Sequence, residues 1–461
     1  MPEFHAEPYI YLPAISHKSA LIAWGAFYFK ATSSGEMMLV DDDDLEHVHP
    51  PRRDTIGSRS ASYGPAKVEV MDARGIPVAV ASTDSANHCW VTGLEPNTEY
   101  AYRVIVKGKE WAEGERWNWS PSRKALVQGG RYDNRFRTNV SPLDKASALT
   151  FAVIGDFGVG VRKDTADRHQ QKIGDALRAA LDAHDVRFML TTGDNIYAKT
   201  LLGFIPSGGS GDEDDDWFFT FFQPYRYVIN RICVYPSIGN HDTNESEEND
   251  DRGQVEDNFY LRERIAGEEA AGRASVGPGL FYRFRYGTAI EFICLDTSKE
   301  HFFAKRLFDH PSHQDFIDAS LGPDAAGPIW RIPFCHHPPF SAGPRHHNTE
   351  SMHRLIPLFH RAGVKALFAG HEHNFQHSAV DGINYFVSGA AGKVRPETPN
   401  SFAEAHTRSW SNQGHFLLVE IVGDRLTVRP IGALGADGNL TDIRRLGPGG
   451  GEVAEPIVIR M

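Results

Sequence analysis

Two histidines separated by a single residue follow a strand-like apolar run. The run is Val364 to Phe368, and Gly370, His371, Glu372 and His373 come shortly after it. In an extended segment, residues i and i+2 project to the same side, so His371 and His373 can serve one site. The pair alone is a weak signal because the chain contains 22 histidines. Four further clusters upstream, each after a predicted strand, make it informative.

Two of these clusters are carboxylates next to glycine. Asp156 follows the predicted strand Leu149 to Ile154, and Asp194 follows the predicted strand Phe188 to Thr191. Tyr197 comes three residues after Asp194. A carboxylate can bind two cations, one with each oxygen, and the phenol could reach one of them. The alternatives are that Asp156 caps the next helix and that Tyr197 is a core aromatic residue with a hydrogen-bonded hydroxyl.

The remaining clusters combine a neutral oxygen with imidazoles. Their residues are Asn240, His241, His336, His337, His346 and His347. The first two follow the run Ile232 to Ile238, the next two follow Ile329 to Cys335, and the last two lie in the loop beyond. An Asn carbonyl is a neutral metal ligand, and a neighbouring His could donate a proton. An ordinary turn and a surface histidine pair are the alternatives.

Considered together, the clusters predict a site for two metal ions. Two Asp, one Asn, one Tyr and three His form a mixed oxygen and nitrogen ligand set. Such a set suits two borderline or hard cations bridged by a carboxylate, and not a structural zinc site rich in thiolate. Two metals about 3.5–4 Å apart are used for in-line displacement at phosphorus.

The predicted secondary structure that positions these residues changes along the chain, from strands alone to strands that alternate with helices. At 461 residues the chain is expected to form two domains. Residues 8 to about 140 are predicted to be all-β, and a polar linker follows from Asn139 to Ala146. Strands then alternate with helices, among them a predicted helix from Ala166 to Ala183, and Phe416 to Pro430 indicates a hairpin. Ligand sites in such α/β sheets lie at the carboxyl ends of strands.

Composition restricts the partners. The net charge is −12, which argues against nucleic acid as the main partner and gives no reason to expect binding to an anionic membrane surface. No apolar run reaches the roughly 18 residues of a membrane span. The runs Asp41 to Asp44 and Asp212 to Asp216 are predicted to be solvated loops. Neither nucleic acid nor a membrane is therefore expected as a partner, and no oligomeric state is predicted.

The N-terminus and the cysteines indicate where in the cell the protein is located. The first residues lack the basic start and apolar stretch of a secretory signal, which predicts a cytoplasmic protein as the sequence stands. A secreted or periplasmic location is expected if a signal was removed. The four cysteines lie far apart, mostly in apolar runs, so buried thiols are expected rather than disulfides.

The order of the motifs resembles a known superfamily. Gly-Asp-x-Gly, Gly-Asp-x-x-Tyr, Gly-Asn-His-Asp, His-x-Pro and Gly-His-x-His occur in the order of the calcineurin-like metallophosphoesterases, over about residues 148–433. Tyr197 points within that superfamily to the purple acid phosphatases. Upstream, a Gly-Leu-x-Pro-x-Thr-x-Tyr pattern ending at Tyr100 resembles the strand corner of fibronectin type III-like sandwiches.

The resemblance implies the fold. The expected catalytic domain, 148–461, is an α/β (α+β) metallophosphoesterase sandwich of two mixed β-sheets flanked by helices. The expected N-terminal domain, 1–140, is an all-β fibronectin type III-like sandwich.

It also implies a binuclear metal centre. Fe(III) would be bound by Asp156, Asp194, Tyr197 and His373. A divalent Zn, Fe or Mn ion would be bound by Asp194, Asn240, His336 and His371, with Asp194 as the bridge. His241 would lie against the substrate, and His346 or His347 falls about ten residues past His336, where the family has substrate-contacting histidines.

The implied activity is hydrolysis of phosphate monoesters, of the acid phosphatase type, and the implied partner is a small-molecule phosphate ester substrate. A metal-bound hydroxide would attack phosphorus in line, and the imidazolium of His241 or His346 would protonate the leaving alkoxide. Phosphodiester or phosphotriester hydrolysis at the same site is the alternative. His336-His337-Pro338-Pro339 also resembles cyclic-nucleotide phosphodiesterases, but those have Asp-x-His where this chain has Asp156-Phe157-Gly158. A non-catalytic module on a phosphatase fold is the remaining hypothesis.

Overall fold

A computed structural model of the protein describes most of the chain. The described residues are 4–40, 63–145, 148–163, 165–166, 169–197, 200–201, 205–206, 216–243, 252–270, 280–298, 311–322, 329–399 and 401–461. The predicted acidic loop Asp41 to Asp44 lies outside them, as does all of the run Asp212 to Asp216 except Asp216.

The N-terminal part is built from strands. They are β1 (Phe4–Ile15), β2 (Ser19–Ala31), β3 (Met37–Leu39), β4 (Ala66–Met71), β5 (Pro77–Thr83), β6 (His88–Thr92), β7 (Glu99–Val106), β8 (Lys109–Glu110), β9 (Trp117–Ser120), β10 (Ala125–Gln128) and β11 (Arg135–Arg137). One sheet has the order β1-β2-β3 with β6 also paired to β2, and another has the order β11-β7-β4-β5 with β8 paired to β7. Strands β9 and β10 form a separate hairpin.

The predicted strand corner is present at the start of β7. The hydroxyl oxygen of Tyr100 accepts a hydrogen bond from the backbone N–H of Glu95 at 2.9 Å. The turn before it uses Gly93 with a φ of 80°, a conformation that glycine adopts without steric cost. A tyrosine hydroxyl bonded to the backbone a few residues upstream is the corner found in immunoglobulin-like sandwiches.

The β1–β2 hairpin is buried on both faces. Ile10 and Trp24 point into the core of the N-terminal part, whereas Tyr9 and Phe27 point the other way, in agreement with the period of two in a strand. The Tyr9 ring lies 4.3 Å from the ring of Phe222, which belongs to the part of the chain that follows residue 148. The N-terminal strands and this second part therefore share a hydrophobic core.

A buried ion pair supports the same contact. The Glu7 carboxylate on β1 and the Arg226 guanidinium of the second part lie 2.8 Å apart, with side chains that are 0% and 1% exposed. Removing either partner would leave an uncompensated buried charge between the two parts.

The second half alternates strands and helices. Its elements are β12 (Ala148–Ile154), α1 (Gln170–Ala183), β13 (Val186–Thr191), β14 (Thr200–Leu201), β15 (Ile205–Pro206), α2 (Arg226–Ile229), β16 (Cys233–Tyr235), α3 (Arg252–Asn258), α4 (Leu261–Ala270), β17 (Tyr282–Tyr286), β18 (Ile290–Cys294), α5 (Pro311–Leu321), β19 (Trp330–Phe334), α6 (Ile356–Arg361), β20 (Ala366–Ala369), β21 (Phe375–Val380), β22 (Ile383–Ser388), β23 (Thr407–Ser411), β24 (Phe416–Val422), β25 (Arg425–Ile431) and β26 (Ile457–Arg460). Short π-helical and 3₁₀ segments lie at Phe218–Phe222, His241–Thr243 and Glu350–Leu355.

These strands form two mixed sheets that face each other. Their orders are β16-β13-β12-β24-β25-β26 and β17-β18-β19-β20-β22-β21-β23. The rings of Phe151 and Phe292, one from each sheet, are 5.1 Å apart in the core between them. Ile173 of α1 packs on the outer face of the first sheet, and Phe359 of α6 on the outer face of the second. The predicted sandwich of two mixed sheets flanked by helices is confirmed.

Two predicted elements are clearly longer than those in the structure. The helix predicted from Ala166 begins at Gln170. The strand predicted over Ile232 to Ile238 is limited to Cys233–Tyr235, because Pro236 has no N–H to donate to a neighbouring strand. The hairpin predicted over Phe416 to Pro430 is confirmed.

The cysteines and the helices also bear on the sequence expectations. All four cysteines are free and buried, as expected. No helix among the described residues is long and apolar enough to cross a membrane.

Candidate metal centre

The five predicted clusters meet at one end of the sandwich. Each begins just after the carboxyl end of a strand, namely β12, β13 or β16 of the first sheet and β19 or β20 of the second. Within each sheet these strands are parallel, so their carboxyl ends lie at the same edge. The seven predicted ligands are all buried, with exposed fractions of 8% or less; they are Asp156, Asp194, Tyr197, Asn240, His336, His371 and His373.

His336 is the centre of one group of ligand atoms. Its Nδ1 lies 2.8 Å from the carbonyl oxygen of Thr192, which can only accept, so Nδ1 carries the ring proton and Nε2 presents a lone pair. That Nε2 lies 2.9 Å from Asn240 Oδ1 and 3.1 Å from His371 Nδ1. It lies 3.4 Å from Asp194 Oδ1. Several lone-pair atoms that converge in this way suit a cation between them.

A second group of atoms surrounds Tyr197. The phenol oxygen lies 3.0 Å from His373 Nε2 and 3.4 Å from Asp156 Oδ1. His373 Nε2 lies 3.6 Å from the same Asp156 oxygen. Tyr197 also hydrogen-bonds to Asp194, which contacts His336 in the first group. Asp194 therefore lies between the two groups, where a bridging carboxylate is needed.

Three of the candidate ligands have strained backbone. Asp156, Asp194 and His371 have φ values of 54°, 51° and 71°, in the left-handed region that residues with a side chain rarely adopt. Strain of this kind persists only where the surrounding structure imposes it, and it is common at functional sites. Glycine allows the close approach: a Cβ on Gly239 would collide with Asp194 Oδ1, and one on Gly370 with Asp156 Oδ2.

Backbone hydrogen bonds tie the ligand loops to one another. The N–H of His371 donates to Asp156 Oδ2 at 2.9 Å, which joins the loop after β20 to the loop after β12. The N–H of His241 donates to Asp194 Oδ1 at 3.0 Å, which joins the loops after β16 and β13. The site is thus held across both sheets before any ion binds.

Burial and charge determine the protonation of the carboxylates. Burial, and then the nearby charge of Asp194, raises the pKa of Asp156 well above its usual range. Burial also opposes ionisation of Asp194, but the neighbouring His336 and His241 rings lower the pKa of that group overall. One carboxylate thus favours its charged form and the other its protonated form, since two buried like charges repel.

Three of the other candidate ligands favour their neutral forms. Burial lowers the pKa of His336, and burial followed by the charge of Arg395 lowers the pKa of His373 well below its usual value. Burial and then Asp194 raise the pKa of Tyr197. Neutral imidazole is the form that binds metals, so the two histidines are already in the ligand state.

The donor set fits two cations. Ligand atoms of Asp156, Asp194 and His336 lie within 4.8 Å of one another, and so do those of His336, His337 and His371. His337 is buried, with Nδ1 3.1 Å from the hydroxyl oxygen of Thr297, and its ring lies 4.3 Å from that of His371. His337 was not among the predicted ligands, whereas the structure places it with His336 and His371.

The three predicted catalytic histidines lie in different surroundings. The ring of His241 lies 4.5 Å from that of Tyr197, and the ring of His346 lies 3.9 Å from that of His371. His347 is exposed. The sequence did not show which of the adjacent residues His346 and His347 lies at the site. In the fold, His346 faces the candidate metal ligands.

Three supporting residues were missed by sequence reasoning. Asp242 accepts hydrogen bonds from the backbone N–H groups of Gly239 and Asn195, at 2.7 and 2.8 Å, and so joins the loops after β16 and β13. Glu372 forms an ion pair with Arg395 at 2.8 Å. Asp242 and Glu372 stand inside the motifs and could have been singled out, but Arg395 has no signal in its local sequence.

Comparison with known proteins finds similar sequences and structures. The model of the calcineurin-like phosphoesterase family matches residues 149–375. Tartrate-resistant acid phosphatase type 5 of Oryctolagus cuniculus is 26% identical over 326 residues, which cover 62% of this chain and 88% of that protein.

Two solved structures are similar along nearly the whole chain. PhoD superposes with a TM-score of 0.61 at 14% identity, covering 98% of this chain and 94% of the other. Purple acid phosphatase PPD1 from seeds of yellow lupin (Lupinus luteus) gives a TM-score of 0.59 at 12% identity, with 98% and 74% coverage. At such identities the likeness is one of fold. The sequence matches show that residues 149–375 form a calcineurin-like phosphoesterase domain, in a purple acid phosphatase-like metallophosphoesterase.

Proposed function

We propose that the protein hydrolyses phosphate monoesters with the help of two metal ions. The observation that carries the proposal is the position of Asp194, which contacts His336 in one group of ligand atoms and Tyr197 in the other. A carboxylate between two groups of neutral nitrogen and oxygen donors is what a bridged pair of cations requires.

The proposed ligands divide between the two groups. Fe(III) would be held by Asp156, Asp194, Tyr197 and His373, and a divalent Zn, Fe or Mn ion by Asp194, Asn240, His336 and His371. When bound, such ions withdraw charge from the phosphate and acidify water, which favours attack at phosphorus.

His241 and His346 act as the hydrogen-bond and proton donors in this proposal. His241 lies beside Tyr197 and His346 beside His371, so the two rings adjoin different groups of ligands. Each ring N–H can donate to a phosphoryl oxygen and stabilise the charge that develops there. As the bond between phosphorus and the leaving oxygen breaks, the leaving alkoxide would take a proton from the His241 ring, the water oxygen would stay on phosphorus, and the proton that the water loses would restore the ring.

The preference for monoesters is tested with a substrate pair. Turnover of 4-nitrophenyl phosphate is compared with that of bis(4-nitrophenyl) phosphate, on protein whose metal content has been measured. We expect the monoester to have the higher kcat/KM. A faster diester would replace the proposal by phosphodiesterase activity, and fewer than one metal per chain without turnover would favour a binding module.

Asp194→Asn is the matched variant for that assay. The amide keeps the shape of the side chain but not the charge that can neutralise two cations. We expect a loss of about 100-fold or more in kcat, together with a lower metal content. Asp175→Asn, on the helix α1, serves as the control and should retain both.

The N-terminal part has a framing role in the proposal. We propose that residues 1–140 form a fibronectin type III-like domain and residues 148–461 the catalytic domain. The hydrogen bond between Glu95 and Tyr100 supports the first assignment. Its close packing through Tyr9 and Phe222 supports a structural role.

A further inference from the structure

A buried carboxylate lies between the two histidines of the Gly-His-x-His segment. Glu372 is 0% exposed, and both of its carboxylate oxygens lie 2.8 Å from Nη1 of Arg395. The backbone N–H of His346 donates to Glu372 Oε2 at 2.7 Å. A buried charge is tolerated when it is paired and hydrogen-bonded in this way.

Arg395 makes a second contact that reaches the candidate catalytic residues. Its Nη2 lies 3.0 Å from Nε2 of His346. A guanidinium only donates, so Nε2 of His346 is the accepting nitrogen, and in the neutral ring the proton is on Nδ1. Arg395 thus selects one tautomer of His346 and leaves Nδ1–H as its donor.

Both partners are attached to the metal-ligand segment. The ring of His346 lies 3.9 Å from that of His371, and the backbone N–H of Arg395 donates to the carbonyl oxygen of His373 at 3.1 Å. Glu372 is the residue between those two histidines. Any shift of Glu372 or Arg395 is therefore transmitted to His346 relative to the ligands.

We propose that Arg395 is a positioning residue for His346, and that Glu372 acts through Arg395. The Glu372–Arg395 pair holds the imidazole against His371 with Nδ1 protonated, so that this N–H is the group offered to the substrate. The kinetic part of the proposal rests on the proposed function, whereas the tautomer of His346 does not.

Kinetics give the first test. Arg395→Met and Glu372→Gln are compared with Glu397→Gln, using 4-nitrophenyl phosphate. Glu397 pairs with Arg345 at 2.7 Å in a more exposed Arg–Glu pair, which makes it the matched control. We expect Arg395→Met to lower kcat by about tenfold or more. Metal content and KM should change little, because Arg395 is not itself a proposed ligand.

A double-mutant cycle separates positioning from general stabilisation. If Arg395 acts through His346, the double variant Arg395→Met/His346→Ala should be no slower than His346→Ala alone. Losses that multiply would overturn the proposal. A loss of bound metal in Arg395→Met would do so as well, because it would show a structural role in the ligand shell.

The tautomer is measured without turnover. In zinc-loaded protein, ¹⁵N NMR of the histidine rings, with His346→Asn to assign the signals, should show protonated Nδ1 and unprotonated Nε2 at His346. Arg395→Met should remove this preference, and Glu397→Gln should keep it. A wild-type His346 with protonated Nε2 would overturn the proposal. Wild-type protein that shows the expected tautomer but no turnover would instead count against the proposed function.

Discussion

The phenol oxygen of Tyr197 lies 3.0 Å from Nε2 of His373. Both atoms adjoin Asp156 Oδ1, at 3.4 and 3.6 Å. Burial and the neighbouring Asp194 charge raise the pKa of Tyr197, so the metal-free phenol is protonated at neutral pH. Only a strongly acidic cation would convert it to the phenolate.

The first prediction concerns colour. Iron-loaded protein should absorb visible light through charge transfer from the Tyr197 phenolate to Fe(III), and Tyr197→Phe should abolish the band. The measurement is a visible spectrum with the iron content determined in parallel. Tyr385→Phe, which removes a hydroxyl from a buried tyrosine in another core cluster, should keep the band. A band that survives in Tyr197→Phe would disprove the ligand assignment.

The second prediction separates the adjacent histidines. His346→Ala should lower kcat by about 100-fold, because its ring lies 3.9 Å from that of His371 and its N–H can stabilise the charge that develops on a phosphoryl oxygen. His347→Ala should leave kcat unchanged, because that side chain is exposed. The measurement is kcat of both variants in steady-state kinetics with the monoester. Equal losses in both variants would mean that the loop presents the two rings differently during turnover.

The third prediction concerns metal affinity and pH. Asp156 holds its proton to an unusually high pH, because burial and Asp194 raise its pKa. A metal ion must displace that proton, so the affinity should fall as the pH falls, and binding should release protons. Calorimetric titration of zinc into metal-free protein in buffers of different ionisation enthalpy measures the release. Binding without release would show that Asp156 is already ionised.

The fourth prediction concerns acid stability away from the site. Burial lowers the pKa of His415 to about 4 in the folded protein, against about 6.5 in the unfolded chain. Since the unfolded chain takes up the proton first, stability is complete above pH 6.5 and is lost as the pH falls from 6.5 towards 4. The loss is about 3 kcal/mol.

Urea unfolding of metal-free protein between pH 7 and pH 4.5 tests this stability. His415→Gln should flatten the decline in the free energy of unfolding, even if it lowers that free energy at pH 7. His360→Gln replaces an exposed histidine of α6 and should keep the wild-type decline. An unchanged slope in His415→Gln would show that other groups take up the proton.

Short motifs and strand patterns were enough to predict the candidate ligands and the catalytic fold. Asp156, Asp194 and His371 each stand directly after an apolar run, and parallel strands bring their carboxyl ends to one edge. This inference is local, because residue type and distance from a strand end can be read along the chain. The strand Ile232 to Ile238 was overestimated for the same reason: an apolar run does not reveal where Pro236 ends the pairing.

Contacts between distant segments were decided by the tertiary structure alone. Tyr9 packs on Phe222, and Arg395 reaches His346, across separations that no local pattern encodes. The sequence by itself determined which side chains stand at the strand ends, since that depends on local periodicity. The tertiary structure decided that His346 rather than His347 faces the ligands, because the packing of both sheets sets where each loop lies.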